Sequence, residues 1–277
     1  MTYITLITPA ELRELDNPLI VDCSFDLADT DAGERAYAAG HIPGAFYLHL
    51  DRDLCGDKLG PDGAFRGRHP LPQRETFAAL MRRIGLAAGR QVVTYDRQGA
   101  PYAAHLWWML RWLGHAEVAV LDGAWDGELN TEVPAATPTD WQPGPPLAGQ
   151  MDAATLLTKL GRVRLIDARA AERFRGDIEP LDKVAGHIPG ASNRFFKDNL
   201  AADGRFKPAA DLRAEFAALL APYPADQVVH QCGSGVTACH NLLAMAHAGL
   251  GEPLGGLLYP GSWSEWSADP ARPIATA

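Results

Sequence analysis

The segment AAGHIPGAFYLHL (residues 38–50) returns in the second half of the chain as VAGHIPGASNRFF (residues 184–196). Other segments recur around it in the same order, so the match extends over most of the chain. The further matched pairs are LIVDCS (19–24) with RLIDAR (164–169), DGAF (62–65) with DGRF (203–206), and QVVTYDRQGAPYAAH (91–105) with QVVHQCGSGVTACH (227–240). A repeat on the scale of a whole domain indicates a tandem duplication.

The duplication predicts two α/β domains in the 277 residues. Short β-branched runs alternate with helical patterns in each copy, which predicts a parallel sheet flanked by helices. We place the first domain at 1–131 and the second at 150–277. The intervening segment 132–149 is rich in proline, which is typical of an extended linker.

The charge balance argues against a nucleic-acid partner. The chain carries 25 Lys and Arg against 34 Asp and Glu, a formal net charge of -9, whereas phosphate binding depends on clustered cations. We also expect no membrane partner, since no apolar run is long enough to cross a bilayer.

The cysteines are too few for a disulfide scaffold in a chain of this length. They are Cys23, Cys55, Cys232 and Cys239. The N-terminal residues lack the basic and apolar regions of a signal peptide. We therefore expect a protein of the reducing cytoplasm.

The loop CGSGVT (232–237) follows an apolar strand and precedes a helical pattern. Gly233 and Gly235 allow a tight curl, so that several N–H groups can converge on one point near a helix N-terminus. Such surroundings favour a thiolate, which makes Cys232 the candidate nucleophile. Ser234 and Thr237 can offer hydroxyl groups to a molecule bound there.

The first copy of this loop has Asp96 at the position of Cys232 and lacks a thiol. The sequence therefore predicts one active site, in the second domain, and a first domain that has become scaffold.

Other interpretations of this stretch remain open. A metal site could use His230, Cys232, Cys239 and His240, but neighbouring helical residues such as the last two point apart. A redox pair lacks the C-x-x-C spacing. We expect Cys239 to be a packing residue, along with the tryptophans Trp107, Trp108, Trp112, Trp263 and Trp266.

The chain resembles the two-domain rhodaneses, the thiosulfate and mercaptopyruvate sulfurtransferases. The resemblance rests on the paired GHIPGA segments, the DAR strand end, the six-residue loop at 232–237 and the closing YPGSWSEW (259–266). The spelling CGSGVT is similar to the 3-mercaptopyruvate branch, whereas thiosulfate-preferring members usually carry basic residues after the cysteine. In this family, the loop residues Gly233, Gly235, Val236 and Thr237 hold the bound sulfur compound.

The resemblance also implies partners for the nucleophile. A histidine and an aspartate of the first domain would assist Ser234, and they match His41 and Asp31, with Asp29 as an alternative to Asp31. His187, the second copy of the histidine, is expected to be structural.

An arginine would hold the substrate carboxylate, and Arg173 matches it. A second arginine of the family is replaced by Leu181, for which Lys183 or Arg175 could substitute.

The implied reaction moves a sulfur atom from 3-mercaptopyruvate through a Cys232 persulfide to a thiol or cyanide, with a thioredoxin-like protein among the expected acceptors. No metal and no organic cofactor is expected. The alternatives are a thiosulfate:cyanide sulfurtransferase and a persulfide carrier of a sulfur relay. A cysteine-dependent phosphatase would need an arginine where this chain has Ala238.

Overall fold

The computed structural model describes residues 2–250 and 256–276, and the chain divides into two compact units. The first unit comprises Met1–Cys55, Pro72–Leu147 and Ala202–Phe206; the second comprises Gly56–Leu71, Ala148–Ala201 and Lys207–Ala277. The sequence boundaries at 1–131 and 150–277 do not anticipate that Gly56–Leu71 belongs to the second unit and Ala202–Phe206 to the first.

The first unit is built on a five-stranded parallel sheet in the order β1-β5-β4-β2-β3. Its strands are β1 (Leu6–Ile7), β2 (Leu19–Asp22), β3 (Phe46–Tyr47), β4 (Val92–Tyr95) and β5 (Val118–Leu121). Its helices are α1 (Pro9–Arg13), α2 (Ala32–Ala39), α3 (Leu50–Asp53), α4 (Arg74–Arg83) and α5 (Pro101–Trp112). The residues of β2, β4 and β5 are all buried, as expected of parallel strands covered on both faces.

The second unit repeats this topology with the order β6-β10-β9-β7-β8, again all parallel. Its strands are β6 (Gly149–Gln150), β7 (Arg164–Asp167), β8 (Ser192–Asn193), β9 (Val228–Gln231) and β10 (Leu257–Leu258). Its helices are α6 (Ala153–Lys159), α7 (Ala171–Arg175), α8 (Ala209–Leu220), α9 (Ala238–His247) and α10 (Ser262–Trp266), with 3₁₀ turns at Phe196–Asn199 and Ala225–Gln227. The identical strand order confirms the predicted tandem α/β duplication.

The tryptophans lie in the cores, as predicted. Trp107 and Trp108 on α5 are fully buried, and Trp112 is 9% exposed. In the second unit, Trp263 and Trp266 are completely buried, and each indole N–H donates to a backbone carbonyl. Large aromatic side chains whose N–H groups have acceptors contribute strongly to core stability.

The proline-rich segment packs as part of the first unit as far as Leu147. It has no helix or strand from 132 to 148, and it is fixed by single hydrogen bonds such as that from Thr139 N–H to the carbonyl of Arg82 at 3.1 Å. Its one tryptophan, Trp141, is only 9% exposed. This segment therefore lies against its own unit along most of its length.

Within residues 2–250 and 256–276, every helix is too short or too polar to cross a membrane.

Candidate active site

The loop that carries Cys232 lies at the carboxyl end of β9 and leads directly into α9. In open α/β sheets, ligands usually bind at this edge. The loop backbone is fixed from the side of α10: Cys232 N–H donates to the Ser262 hydroxyl at 3.0 Å, and the N–H of Trp263 donates to the Cys232 carbonyl at 3.0 Å. The GSWS part of the closing motif therefore serves as a support for the nucleophile's loop.

Gly235 is the position in the loop where only glycine fits. Its φ is +85°, and a Cβ placed there would lie 2.4 Å from the carbonyl oxygen of Pro260. Both the left-handed backbone and the close approach exclude a side chain.

Cys232 and Ser234 are both nearly buried, at 2% and 6% exposure, and Val236 is buried at 4%. Thr237 is the residue before α9, and its side chain does not cap the helix. The loop residues predicted from the sequence thus lie directly before α9, and Cys232, Ser234 and Val236 among them are buried.

Cys239 lies in the helix that follows the loop and is a packing residue. It is completely buried in the first turn of α9, and its thiol donates to the carbonyl of Gly235 at 3.3 Å. Burial raises the pKa of Cys239 well above its usual value, which keeps it a neutral thiol. In the described part of the chain, no group of three or more His, Cys, Asp or Glu side chains is arranged to hold a metal ion.

The corresponding loop of the first unit shows what such a loop binds. The Asp96 carboxylate, which stands at the position of Cys232, accepts hydrogen bonds of 2.8–2.9 Å from four backbone N–H groups. The donors belong to Gln98, Ala100, Tyr102 and Ala103. The loop is therefore an anion cradle, and in this copy its own side chain fills it.

In the second unit, three of the four matching N–H groups are unused, and the fourth, that of Cys239, donates to the carbonyl of Val236 at 3.1 Å. Aligning Asp96 with Cys232 places Gln98, Ala100 and Tyr102 opposite Ser234, Val236 and Ala238. Within the described residues, the N–H groups of these three second-unit residues have no acceptor. They are available for negative charge on, or bound to, the Cys232 sulfur.

Ser234 shares a short hydrogen bond with a histidine that the sequence analysis did not single out. The hydroxyl oxygen of Ser234 and Nδ1 of His69 are 2.7 Å apart, and both side chains are buried. His69 belongs to the segment Gly56–Leu71, which forms part of the second unit. A histidine bonded to a hydroxyl beside a nucleophile can relay a proton.

The structure contradicts the predicted catalytic role of His41. Its ring is fully buried and stacks on Tyr37 at 3.8 Å between ring centroids. Nδ1 lies 2.9 Å from the carbonyl of Tyr37 and Nε2 lies 3.1 Å from that of Glu132, so both nitrogens are occupied by backbone groups of the first unit. His187 stacks on Phe174 in the same way, so the paired GHIPGA histidines are packing residues.

The aspartates predicted to support His41 do not contact it. Asp31 is exposed and precedes the first residue of α2. Asp29 is also exposed and forms a salt bridge with Arg35 at 2.5 Å. Because the ring nitrogens of His41 face carbonyl oxygens, neither carboxylate can orient them.

Arg173 stands beside the loop, together with a second arginine. A Cβ on Gly233 would lie 3.5 Å from Nη1 of Arg173 and 2.7 Å from Nη2 of Arg68. The two residues suggested by the sequence as a second cation are placed differently: Arg175 is 48% exposed and pairs with Asp177, and Lys183 is exposed. The loop at 232–237 contains no basic or acidic residue, but the guanidinium groups of Arg68 and Arg173 lie next to it.

A buried arginine braces the end of β7 in this unit. Arg169 donates from Nη2 to the Asp167 carboxylate at 2.7 Å and to the carbonyl of Gly186 at 2.8 Å. Its guanidinium lies over the ring of Trp263, 4.8 Å from the centroid. These contacts join the β7 end, the GHIPGA segment and α10.

The first unit makes the same connection from another position. Ser24 occupies the place of Arg169, and Arg97, which follows Asp96, donates to the Asp22 carboxylate and to the carbonyl of Gly40, each at 2.7 Å. The guanidinium is therefore supplied from the loop in one copy and from the strand end in the other.

Comparison with known proteins identifies the family of both units. The sequence-family model of the rhodanese-like domain matches residues 8–129 and again residues 152–269. The chain belongs to the rhodanese family. This confirms the resemblance drawn from the repeated motifs, and it makes the loop at 232–237 the rhodanese loop of the second domain.

Relatives of this rhodanese cover most or all of its length. A Pseudomonas aeruginosa protein named "Probable 3-mercaptopyruvate sulfurtransferase" is 45% identical, covering 100% of this chain and 99% of the relative. "Thiosulfate sulfurtransferase" of Bos taurus is 31% identical, covering 89% of this chain and 84% of the relative. The solved structure "3-mercaptopyruvate sulfurtransferase from Leishmania major" is similar with a TM-score of 0.81 at 30% identity, covering 95% of this chain and 74% of that one.

Proposed function

We propose that this rhodanese is a 3-mercaptopyruvate sulfurtransferase with Cys232 as its nucleophile. The observation that carries the proposal is the contrast between the two loops. The first holds a carboxylate on four N–H groups, and the second presents a cysteine with three of the four matching donors unused. The first unit then serves as scaffold, with Asp96 in place of a nucleophile.

The first half-reaction takes sulfur from the donor. The Cys232 thiolate attacks the sulfur of 3-mercaptopyruvate, an S–S bond forms and the C–S bond breaks, and the electron pair of that bond passes to the leaving carbon as an enolate. The enolate takes up the proton that the donor thiol carried, which gives pyruvate and a deprotonated Cys232 persulfide. N–H groups of the loop stabilise the persulfide charge.

Ser234 and His69 act on the carbonyl of the donor. A hydroxyl that donates to the carbonyl oxygen stabilises the enolate, and the 2.7 Å contact with His69 lets the pair pass a proton. Arg173 binds the carboxylate, for which a planar guanidinium is well matched. Gly233, Gly235, Val236 and Thr237 shape the space between them.

The second half-reaction returns the enzyme to its starting state. The sulfur of an acceptor thiol, or the carbon of cyanide, attacks the outer sulfur, and the Cys232 thiolate leaves. The products are a persulfide of the acceptor or thiocyanate. We propose small thiols and a thioredoxin-like protein thiol as acceptors. The four free cysteines support our expectation of a reducing, cytoplasmic setting.

Thiosulfate is the main rival donor, because two arginines beside Gly233 could also attract its charge. It has no carbonyl group, however, so the hydrogen-bonded pair of Ser234 and His69 would have no carbonyl oxygen to act on. A site built around such polar groups discriminates against a substrate that cannot pair with them.

We expect kcat/KM for 3-mercaptopyruvate to exceed that for thiosulfate by at least about tenfold, because only the former engages every polar group of the site. Pyruvate and sulfite release, each measured with cyanide as acceptor, check this. A higher value for thiosulfate would overturn the choice of donor. Sulfur uptake without steady-state pyruvate release would instead indicate a persulfide carrier.

We expect His69→Gln to lower kcat for 3-mercaptopyruvate by about 10²–10⁴-fold, the usual contribution of a proton-transfer group. Ser234→Ala should cause a similar loss. Because the two side chains work through one hydrogen bond, the double variant should lose little more than either single one. Steady-state pyruvate release measures all three, and multiplied losses in the double variant would show that the residues act independently.

A further inference from the structure

Arg68 has no role in the reaction as described so far, yet it lies as close to the nucleophile's loop as Arg173 does. Its Nη2 atom is 2.7 Å from the position of a Cβ on Gly233, the residue that follows Cys232. Its side chain is 20% exposed. A cation this enclosed beside a reacting thiolate needs an explanation in terms of what it binds.

The nitrogens of the two arginines divide into an occupied set and an available set. Nη1 of Arg68 pairs with the Asp182 carboxylate, while Nε and Nη2 of Arg173 pair with Glu179 at 3.3 and 2.6 Å. Among the described residues, Nε and Nη2 of Arg68 and Nη1 of Arg173 have no acceptor, and the first of these is a buried donor.

Two of the three available nitrogens approach the loop. Nη2 of Arg68 and Nη1 of Arg173 are the atoms nearest to Gly233 in each guanidinium. A buried donor without an acceptor costs free energy, so the third available nitrogen, Nε of Arg68, indicates an absent partner for this guanidinium. Two guanidinium groups with free donors on one side match the planar pair of oxygens of a carboxylate.

The acidic residues hold this arrangement in place. Glu179 and Asp182 are 3% and 7% exposed at their side chains, and Asp182 reaches both arginines, with Oδ2 at 3.5 Å from Nη2 of Arg173. The two positive charges are thus fixed side by side before any ligand arrives. Fixing them in advance lowers the entropy that binding would otherwise cost.

The backbone at Arg68 is fixed as well. Its N–H donates to the Ser264 hydroxyl at 3.0 Å. Gly67 has a φ of +104°, and a Cβ there would lie 2.9 Å from the carbonyl of Gly261, so this close approach needs glycine. The tripeptide of Gly67, Arg68 and His69 is therefore seated on the start of α10, and it brings a cation and an acid–base group to the loop together.

We propose that Arg68 is a specificity-determining residue that binds the carboxylate of the sulfur donor jointly with Arg173. The inference rests on the proposed function, and it assigns the donor class as thiols with a carboxylate beside the carbonyl. A donor without the carboxylate can still be attacked by Cys232, but it forgoes the binding energy of both guanidinium groups.

The test compares two donors that differ only in this group. 3-Mercaptopyruvate carries the carboxylate, and mercaptoacetone has a methyl group in its place. In Arg68→Gln, we expect kcat/KM for 3-mercaptopyruvate to fall by about 10–100-fold, mostly through KM, as for the loss of a hydrogen bond to a charged group. For mercaptoacetone, kcat/KM should stay within about twofold of the wild-type value.

The matched control is Arg175→Gln, since Arg175 is exposed and pairs with Asp177 away from the loop; both donors should react with it as with the wild type. Equal losses for both donors in Arg68→Gln would assign Arg68 a structural role and overturn the proposal, as would no loss for either. If the wild type releases no pyruvate, the proposed function has failed, and this outcome is distinct from wild-type activity that Arg68→Gln leaves unchanged.

Discussion

Cys232→Ser should abolish sulfur transfer, with a loss of at least about 10³-fold in pyruvate release, because removal of a nucleophile leaves only residual catalysis. Serine is nearly the same size as cysteine, and the site is 2% exposed, so the fold should tolerate it. Its hydroxyl is a much weaker nucleophile than a thiolate at neutral pH. Intact-mass spectrometry after incubation with the donor should show one added sulfur atom in the wild type and none in the variant.

Cys239→Ser is the matched control. Cys239 is also buried and lies in the first turn of the same helix, but its thiol is neutral and donates to the Gly235 carbonyl. A serine hydroxyl can make the same hydrogen bond, so this variant should gain the sulfur atom and release pyruvate at close to the wild-type rate. Sulfur uptake that survives in Cys232→Ser but disappears in Cys239→Ser would reverse the assignment of the nucleophile.

Gly235→Ala should be the most destabilising change in the loop. At φ of +85°, an alanine is strained by about 1–3 kcal/mol. Its Cβ would also lie 2.4 Å from the carbonyl oxygen of Pro260, which is backbone and cannot turn aside. We expect the free energy of unfolding in urea to fall by more than the strain alone, and persulfide formation to be lost as the loop shifts.

Gly233→Ala is a control for the backbone strain at Gly235, because an added Cβ at Gly233 would only crowd a neighbouring side chain. The atom closest to its Cβ would be Nη2 of Arg68 at 2.7 Å, a side-chain atom that can shift within its ion pair with Asp182, unlike the backbone carbonyl of Pro260. This variant should unfold at close to the wild-type urea concentration but bind the donor more weakly, since the arginine must move. Equal losses of stability at the two glycines would contradict the distinction.

The fold could be predicted because the same pattern of strands, helices and motifs occurs in both halves of the chain. Matching β7 and β9 to β2 and β4 required only the paired apolar runs and the motifs that follow them. The anion-binding loop could also be predicted, because glycines between a strand and the N-terminus of a helix favour a tight loop with converging N–H groups. Local pattern was sufficient wherever the function depends on the backbone of one loop.

His69 could not be found in this way because its position depends on tertiary structure. It lies far from Ser234 in the sequence, and the chosen candidate, His41, stands in the more prominent GHIPGA motif. A signal was nevertheless present: after DGAF the first copy continues with Arg66 to His69, whereas after DGRF the second continues with lysine, proline and alanine. Residues present in one copy alone are better functional candidates than residues that both copies share.

The same reasoning explains Arg68. The cations nearest to Leu181 in the sequence of this segment are Lys183 and Arg175, but both are exposed. The pairing of Arg68 with Asp182 joins residues from opposite halves of the chain within one compact unit. No periodicity or spacing rule predicts such a contact.

The different positions of Arg97 and Arg169 in the two units determine which substitutions could restore a nucleophile in the first unit. Asp96→Cys alone would leave the guanidinium of Arg97 bound to Asp22 directly after the new thiol, where the active copy has Gly233. Arg97→Gly would clear that space but remove the brace on Gly40 unless Ser24→Arg supplied it from the strand end. The inactive state is thus protected by epistasis among three positions, because Arg97→Gly removes a contact of the fold that only Ser24→Arg would replace.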